Sequence, residues 1–380
     1  MRPPLLPAGT LTMTRSRALL IAATLLLGAC ETVQDKKPVP ITAGIPPDVD
    51  ARIAKIHESF VFADMHAHPS RFHRANVEKI SAKEVALYRS RHMDLVVANI
   101  SSDMAYRGNY FNRDGSKVEK GEYKPAPGET FALTADRMQR LQLTFDQGIA
   151  VHADHPQTVM KTRRDATLAV IPALEGADAL EGDIQNLHKL HDMGLRLIQL
   201  VHFRNNELGH IQTFPFSPGG LTPFGKEVVR VANRLGLIID LAHCNTETIM
   251  DVLALSKDPV IFSHGGLKAL LDQDRALSDD EVRAIAAGGG IVGIWPHGKY
   301  IPNVAVMVDF IEHIVEIAGA DHVGIGSDLR GMSAYADGFA REAEFRAIAM
   351  ELLNRSHSNE VVGKIMGGNF YELWQSVAAN

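Results

Sequence analysis

The chain has 380 residues, of which 46% are hydrophobic and 22% are charged, and its formal net charge is −6. This balance is typical of a globular protein with a large core, and it excludes disordered and collagen-like chains. The chain carries no basic patch, which argues against nucleic acid as a partner, and two cysteines are too few for a disulfide framework.

The N-terminal segment, residues 1–29, has the features of a secretory signal peptide. Arg15 and Arg17 precede an apolar run, residues 18–27, which is too short to span a membrane. Leu27-Gly28-Ala29-Cys30 resembles the lipobox of bacterial lipoproteins, and this resemblance implies cleavage before Cys30 and lipidation of its sulfur. A plain secretory signal with a chance cysteine is the alternative. We therefore expect an exported protein that is lipid-anchored to the bacterial cell envelope, at the periplasmic face of the outer membrane.

The segment that follows, residues 30–50, is polar and rich in proline, which is typical of a tether. From residue 51 to residue 380 the chain alternates short apolar runs with longer amphipathic stretches. Eight runs are predicted as strands: 61–65, 95–100, 168–174, 197–201, 237–241, 260–263, 290–295 and 323–327. Seven stretches between or after them are predicted as helices: 82–91, 132–146, 183–193, 222–235, 279–287, 306–317 and 338–353. This repetition predicts a (β/α)8 TIM barrel, with a doubly wound open sheet as the structural alternative.

One predicted loop, residues 101–130, is much longer than the others. In a barrel it would lie at the C-terminal ends of the strands, where active sites form. Loops of this length are usually functional or disordered. We interpret it as a lid or a wall of the substrate pocket, with a mobile surface insertion as the alternative.

Polar side chains follow six of the eight predicted strands. They are His66 and His68, Glu175, His202, His243, His264 and Asp328. Polar residues at the C-terminal ends of barrel strands are typical of a catalytic site. Imidazole and carboxylate ligands together suit zinc and its first-row neighbours, so the pattern predicts a catalytic metal site at this end of the barrel. His297 is a weaker candidate, and Cys244 is expected to be a packed thiol.

At these residues the sequence resembles the membrane (renal) dipeptidase family of the amidohydrolase superfamily, through nearly the whole chain after about residue 55. The resemblance is carried by Ala-Leu-Glu-Gly-Ala at 173–177, Gly-Leu-Thr-Pro-Phe-Gly at 220–225, Ile-Asp-Leu-Ala-His at 239–243, Val-Ile-Phe-Ser-His at 260–264, Gly-Ile-Gly-Ser-Asp at 324–328 and Gly-Gly-Asn-Phe at 367–370. It implies a zinc-dependent dipeptidase that cleaves the amide bond of a dipeptide with an activated water.

The resemblance also assigns roles to the candidate residues. It implies a site for two zinc ions, in which His66 and His68 hold the first ion and Glu175 bridges the two. His243 and His264 would hold the second. The proposed catalytic and substrate-binding residues are His202, which would contact the substrate carbonyl or its oxyanion, Asp328, which would transfer the proton, and Arg275, which would bind the substrate carboxylate.

Two positions depart from the family pattern. The first family motif is commonly His-x-Asp, whereas this chain has His66-Ala67-His68. Many members also carry an aspartate two positions after the residue that matches Asp328, where this chain has Arg330. The first departure makes the first metal site less negative, and the second leaves the substrate open.

Two other functions are compatible with the sequence. A related amidohydrolase that cleaves another amide, lactone or ester would share the fold and the metals. A non-catalytic binding lipoprotein would be expected to lack a ligand or Asp328, and every expected position is filled. The sequence also leaves a homodimer open.

The N-terminal pattern makes a prediction about location. The mature protein should carry lipid and partition with membranes, because Cys30 would be modified after cleavage. Cys30→Ser should abolish lipid modification, which intact-mass measurement and membrane fractionation would detect. Wild-type protein that is cleaved, unlipidated and soluble in the periplasm would contradict the prediction.

Overall fold

The computed structural model describes residues 44–72, 74, 76–107, 124–213, 216–339 and 344–379. The predicted signal peptide, Cys30 and most of the predicted tether lie outside these residues, as do residues 108–123 of the long loop. Within the described ranges, no helix has the length and apolar character needed to cross a membrane.

Eight parallel strands form the barrel, as predicted. The strands in the described ranges are β1 (Ala63–Ala67), β2 (Leu95–Ser101), β3 (Val151–His152), β4 (Ala169–Glu175), β5 (Leu197–Gln199), β6 (Ile238–Asp240), β7 (Ile261–Leu267), β8 (Ala276–Leu277), β9 (Ile291–Ile294) and β10 (Val323–Ile325). Neighbours around the barrel follow the order β1-β2-β4-β5-β6-β7-β9-β10, and the two-residue strands β3 and β8 pair with β4 and β7. All eight predicted strands are therefore confirmed.

The barrel closes between its first and last strands. The backbone N–H of Asp328 donates to the carbonyl oxygen of His66, and the N–H of His68 donates to the carbonyl oxygen of Leu329, each over 2.8 Å. The buried carboxylate of Asp64 accepts hydrogen bonds from the backbone N–H and the hydroxyl of Ser327. These contacts bring the C-terminal ends of β1 and β10 together, and they rule out the open-sheet alternative.

Helices surround the barrel. Those in the described ranges are α1 (Pro47–Ser59), α2 (Ala82–Ser90), α3 (Glu129–Asp146), α4 (Pro156–Arg164), α5 (Ile184–Asp192), α6 (Pro223–Arg234), α7 (Thr246–Leu255), α8 (Asp279–Ala287), α9 (Val304–Ala318), α10 (Phe345–Asn354), α11 (Asn359–Gly363) and α12 (Asn369–Ala378). The seven predicted helices are present, and α1, α4, α7, α11 and α12 were not predicted.

Two helices begin at positions that the sequence pattern did not indicate. Helix α1 begins at Pro47, inside the segment predicted as a tether, because proline is well suited to the first turn of a helix. Helix α10 was predicted from residue 338 but begins at Phe345. Gly338 has a φ of 91°, which a right-handed helix does not allow.

Alternate residues along the strands face two different cores. On β2, Val96, Ala98 and Ile100 pack with the larger cluster that includes the helices. Leu95 and Val97 instead join a smaller cluster with residues of six other barrel strands, so this cluster fills the barrel interior. Trp374 of α12 belongs to the same interior cluster and covers the N-terminal end of the barrel. The C-terminal end is left for polar side chains.

The tight interior makes a stability prediction at Gly293 on β9. A Cβ atom there would lie 1.9 Å from the carbonyl oxygen of Ser263 on β7, and neither backbone can move away without disturbing the barrel. Gly293→Ala should therefore lower the free energy of unfolding by about 1–3 kcal/mol or more. Gly288→Ala is the matched control, since its Cβ would meet nothing closer than 3.5 Å. Equal denaturation midpoints for the two variants would contradict the prediction.

Candidate metal centre

Five buried side chains meet at the C-terminal mouth of the barrel. They form two groups, and Glu175 belongs to both: His66, His68 and Glu175, and Glu175, His243 and His264. Within each group the potential ligand atoms lie within 4.8 Å of one another. None of the five residues is more than 5% exposed. The structure thus brings together all five ligands that the family resemblance implied.

Local backbone geometry aims these side chains into the barrel. On β4, Ile171 and Ala173 face the barrel interior, and Glu175 continues these alternate positions to the mouth. His243 and Asp328 each follow a strand in the left-handed backbone region, with φ of 70° and 44°. Non-glycine residues adopt this region at a cost and are often found at functional sites.

The carboxylate of Glu175 lies at the centre of the cluster. Its Oε1 lies 3.2 Å from Nε2 of both His66 and His202, and its Oε2 lies 3.4 Å from Nε2 of His68. Burial favours the protonated acid, but the imidazoles of His202, His68 and His66 hold the pKa of Glu175 well below its usual range. Glu175 is therefore an ionised carboxylate with both oxygens directed at candidate ligands.

His243 and His264 form the other side of the cluster. Their Nε2 atoms lie 3.3 Å apart. Burial, together with the positive charge of Arg275, holds the pKa of both rings well below the usual value. Both rings are thus neutral, which is the form that binds metal ions.

Ring nitrogens of the cluster are also available to bind a metal ion. Nε2 of His66 is buried and makes no hydrogen bond, although it faces Glu175. Nδ1 of His264 contacts the hydroxyl of Ser263 at 2.9 Å, so its Nε2 is the nitrogen left to bind a ligand. Four imidazoles and one carboxylate are a donor set that zinc and its first-row neighbours accept.

Asp328 lies at the rim of this cluster. Its Oδ1 is 3.4 Å from Nε2 of His68, and its side chain is 13% exposed. The hydroxyl of Tyr335 and the backbone N–H of Gly331 donate to its carbonyl oxygen, which fixes the loop that carries it. The carboxylate can therefore reach both the cluster and solvent.

Arg275 is buried beside the second group of ligands. Its Nη2 donates to the carbonyl oxygen of His264 at 3.1 Å and its Nη1 to Oε1 of Gln212 at 3.3 Å, while its buried Nε has no hydrogen-bond partner. Its guanidinium lies 5.1 Å from the centre of the Trp295 ring. Burial lowers its pKa to about 10, so the side chain stays cationic at neutral pH. Among the described residues, no carboxylate forms an ion pair with it.

Three residues that the sequence analysis singled out lie outside the cluster: Arg330, which departs from the family pattern, the weaker candidate His297, and Cys244. Arg330 donates two hydrogen bonds, of 3.0 and 3.1 Å, to the carboxylate of Glu84 on α2. His297 is half-buried and packs against Trp295 and Tyr300. Cys244 is buried, and burial raises the pKa of its thiol. These residues belong to neither group of candidate ligands.

Sequence analysis missed two polar residues at the C-terminal end of β2, one that contacts Glu175 and one that contacts His202. The hydroxyl of Ser101 donates to Oε2 of Glu175. Asp103 is fully buried, and its Oδ1 lies 2.8 Å from Nδ1 of His202. Although burial favours a neutral ring, Asp103 and Glu175 raise the pKa of His202. Their position could have identified them, because residues 101–103 lie at the C-terminal end of a barrel strand. No site residue had been assigned to that strand.

Comparison with known proteins adds to this geometry. Residues 51–380 match the family described as membrane dipeptidase (peptidase family M19). Dipeptidase tcpJ from Claviceps purpurea (strain 20.1) is 30% identical over 251 residues, which cover 64% of this chain and 58% of the relative. Dipeptidase verJ from Clonostachys rogersoniana is 32% identical over 236 residues, which cover 60% of each chain. The alignments thus span 58–60% of the length of these curated relatives.

Solved structures share the fold. The probable dipeptidase PvdM from Pseudomonas aeruginosa has a TM-score of 0.74 and 22% identity, covering 88% of this chain and 100% of that one. A metallo peptidase from Rhodobacter sphaeroides, liganded with a phosphinate mimic of the dipeptide L-Ala-D-Ala, has a TM-score of 0.71 and 22% identity, covering 84% and 99%. Because the family match extends from residue 51 to the last residue, the chain belongs to the membrane dipeptidase family, peptidase family M19.

Proposed function

We propose that this protein is a zinc-dependent dipeptidase whose active site is the buried cluster at the mouth of the barrel. The observation that carries the proposal is that Glu175 is shared by two groups of metal-binding side chains, with a buried cation beside them, Arg275, whose Nε has no hydrogen-bond partner. Membership of the membrane dipeptidase family and the dipeptidase names of the curated relatives support it.

The proposed cofactor is a pair of zinc ions. His66 and His68 would hold one ion, His243 and His264 would hold the other, and Glu175 would be shared by both. Bound zinc would supply Lewis acidity, which polarises a carbonyl and lowers the pKa of water. At the first site, His68 supplies an imidazole where most of the family supplies an aspartate carboxylate. This site is therefore less negative than the family pattern would make it.

The remaining side chains would handle the substrate. Asp328, at the rim, would accept a proton from the attacking water and pass it to the leaving amine. His202 directs Nε2 toward the cluster, where it can donate a hydrogen bond to the oxyanion that develops on the substrate carbonyl. Arg275 would bind the C-terminal carboxylate, since a planar guanidinium recognises carboxylates through paired hydrogen bonds.

The shared carboxylate makes a prediction about metal content. Wild-type protein should bind two equivalents of zinc, and chelation should abolish dipeptide hydrolysis until zinc is restored. Glu175→Gln should weaken both sites, whereas His264→Ala should weaken mainly one. Elemental analysis after dialysis against limited zinc would measure this. His297→Ala is the matched control and should keep the wild-type zinc content. Full activity in metal-free protein, or equal zinc loss in all three variants, would contradict the proposal.

The position of Arg275 makes a prediction about substrate choice. A dipeptide with a free C-terminus should be cleaved far better than its C-terminal amide, because only the acid offers a carboxylate. Removing one partner of a buried charge pair costs about 2–5 kcal/mol, so Arg275→Ala should lower kcat/KM for dipeptides by roughly 30-fold to 4000-fold. The already poor amide substrate should hardly be affected.

Two controls accompany this measurement. Arg283→Ala removes an exposed arginine of α8 and should leave kcat/KM unchanged, and zinc content should be the same in both arginine variants. If the wild type cleaves acid and amide equally well, or if Arg275→Ala reduces both equally, the activity belongs to an amidohydrolase with a different substrate.

A further inference from the structure

The side chain of Asp103 uses both oxygens to hold His202 and its neighbour. Oδ1 lies 2.8 Å from Nδ1 of His202, and Oδ2 accepts the backbone N–H of Phe203 at 2.9 Å. Asp103 is fully buried, and His202 is 4% exposed. The two residues are 99 positions apart, so the contact joins the end of β2 to the segment after β5.

The imidazoles at the mouth of the barrel differ in the group that contacts Nδ1. Nδ1 of His68 contacts the backbone carbonyl oxygen of Asn99 at 3.2 Å, and Nδ1 of His264 contacts the Ser263 hydroxyl at 2.9 Å. These are neutral groups, and both rings are candidate metal ligands. His202 is in neither ligand group, and its Nδ1 contacts a carboxylate. A carboxylate can only accept a hydrogen bond, so Nδ1 of His202 must carry a proton.

We propose that Asp103 is a positioning residue for the reaction: it fixes the ring of His202 with the proton on Nδ1 and with Nε2 directed at the substrate carbonyl. This inference rests on the proposed dipeptidase function and adds a residue to it. A carboxylate that accepts the Nδ1 proton sets which way the ring faces, so that a proton on Nε2 is the one offered to the oxyanion.

The surrounding backbone is anchored by other contacts. The hydroxyl of Ser102 donates to the carbonyl oxygen of Gly176, and it accepts the backbone N–H of Ala179. The segment after β2 is therefore tied to the segment after β4 through a residue other than Asp103. Loss of the Asp103 carboxylate should release the ring of His202 while leaving the strand end in place.

A double-mutant cycle tests the proposal. Asp103→Asn should lower kcat for a dipeptide by roughly 10²-fold or more, with little change in KM, because the amide can donate as well as accept and no longer holds the ring in one orientation. His202→Ala should cause a loss of similar size. Adding Asp103→Asn to His202→Ala should then change kcat by no more than about twofold, because the two side chains act as a unit. Zinc content should be unchanged in Asp103→Asn.

Asp94 provides a matched control at the opposite end of β2. It is equally buried, and its Oδ2 accepts a backbone N–H from Phe62 and lies 2.8 Å from Nε2 of His57. Asp94→Asn removes the same kind of contact far from the site. It should lower the thermal unfolding temperature, and its effect on kcat should be small and additive with that of His202→Ala.

A measurement without turnover separates this inference from the proposed function. Nitrogen NMR of ¹⁵N-histidine-labelled protein should show the His202 signal, identified by its loss in His202→Ala, with Nδ1 protonated and hydrogen-bonded in the wild type and with a changed Nδ1 signal in Asp103→Asn and Asp103→Ala. Additive kinetic losses, or an unchanged His202 signal in both variants, would overturn the role of Asp103. A wild-type protein that cleaves no dipeptide would overturn the proposed function, whereas the NMR result would still decide whether Asp103 holds Nδ1 of His202.

Discussion

The buried negative charge of Glu175 is the constraint around which the mouth of the barrel is organised. Moving an ionised carboxylate out of water costs several kcal/mol unless it is paired and hydrogen-bonded. Here the imidazoles of His66, His68 and His202 and the hydroxyl of Ser101 surround it. The same carboxylate can bridge two cations, so the arrangement that makes its burial tolerable also makes it a centre for metal binding.

The barrel explains how such a cluster is assembled from distant parts of the chain. Each strand contributes alternate side chains to its interior, and the last of these positions reaches the C-terminal mouth. Apolar residues such as Ile171 and Ala173 fill the interior below Glu175. The site is therefore placed on a rigid, closely packed layer, and charged side chains of the following loops, such as Arg275 and Asp328, are arranged around its rim.

Sequence analysis predicted most of this arrangement because its signals are local. A buried parallel strand is a short apolar run, and a polar residue just after it is visible without knowledge of the fold. The role of Asp103 could not be predicted in this way, because it depends on contact with a residue 99 positions away. The contact between Arg330 and Glu84 could not be predicted either, since Glu84 lies far away in the sequence, on α2. The start of α10 was misplaced because helical spacing at residue 338 does not reveal the positive φ of Gly338.

The central claim is that these side chains form one site for two metal ions. X-ray diffraction from zinc-loaded crystals, collected on both sides of the zinc absorption edge, tests it most directly. The account predicts two anomalous peaks on either side of the Glu175 carboxylate, at about 2.0–2.2 Å from its oxygens and from the Nε2 atoms of the four histidines. The absence of peaks at Glu175, or a single peak bound by only one of the two groups at saturating zinc, would contradict it.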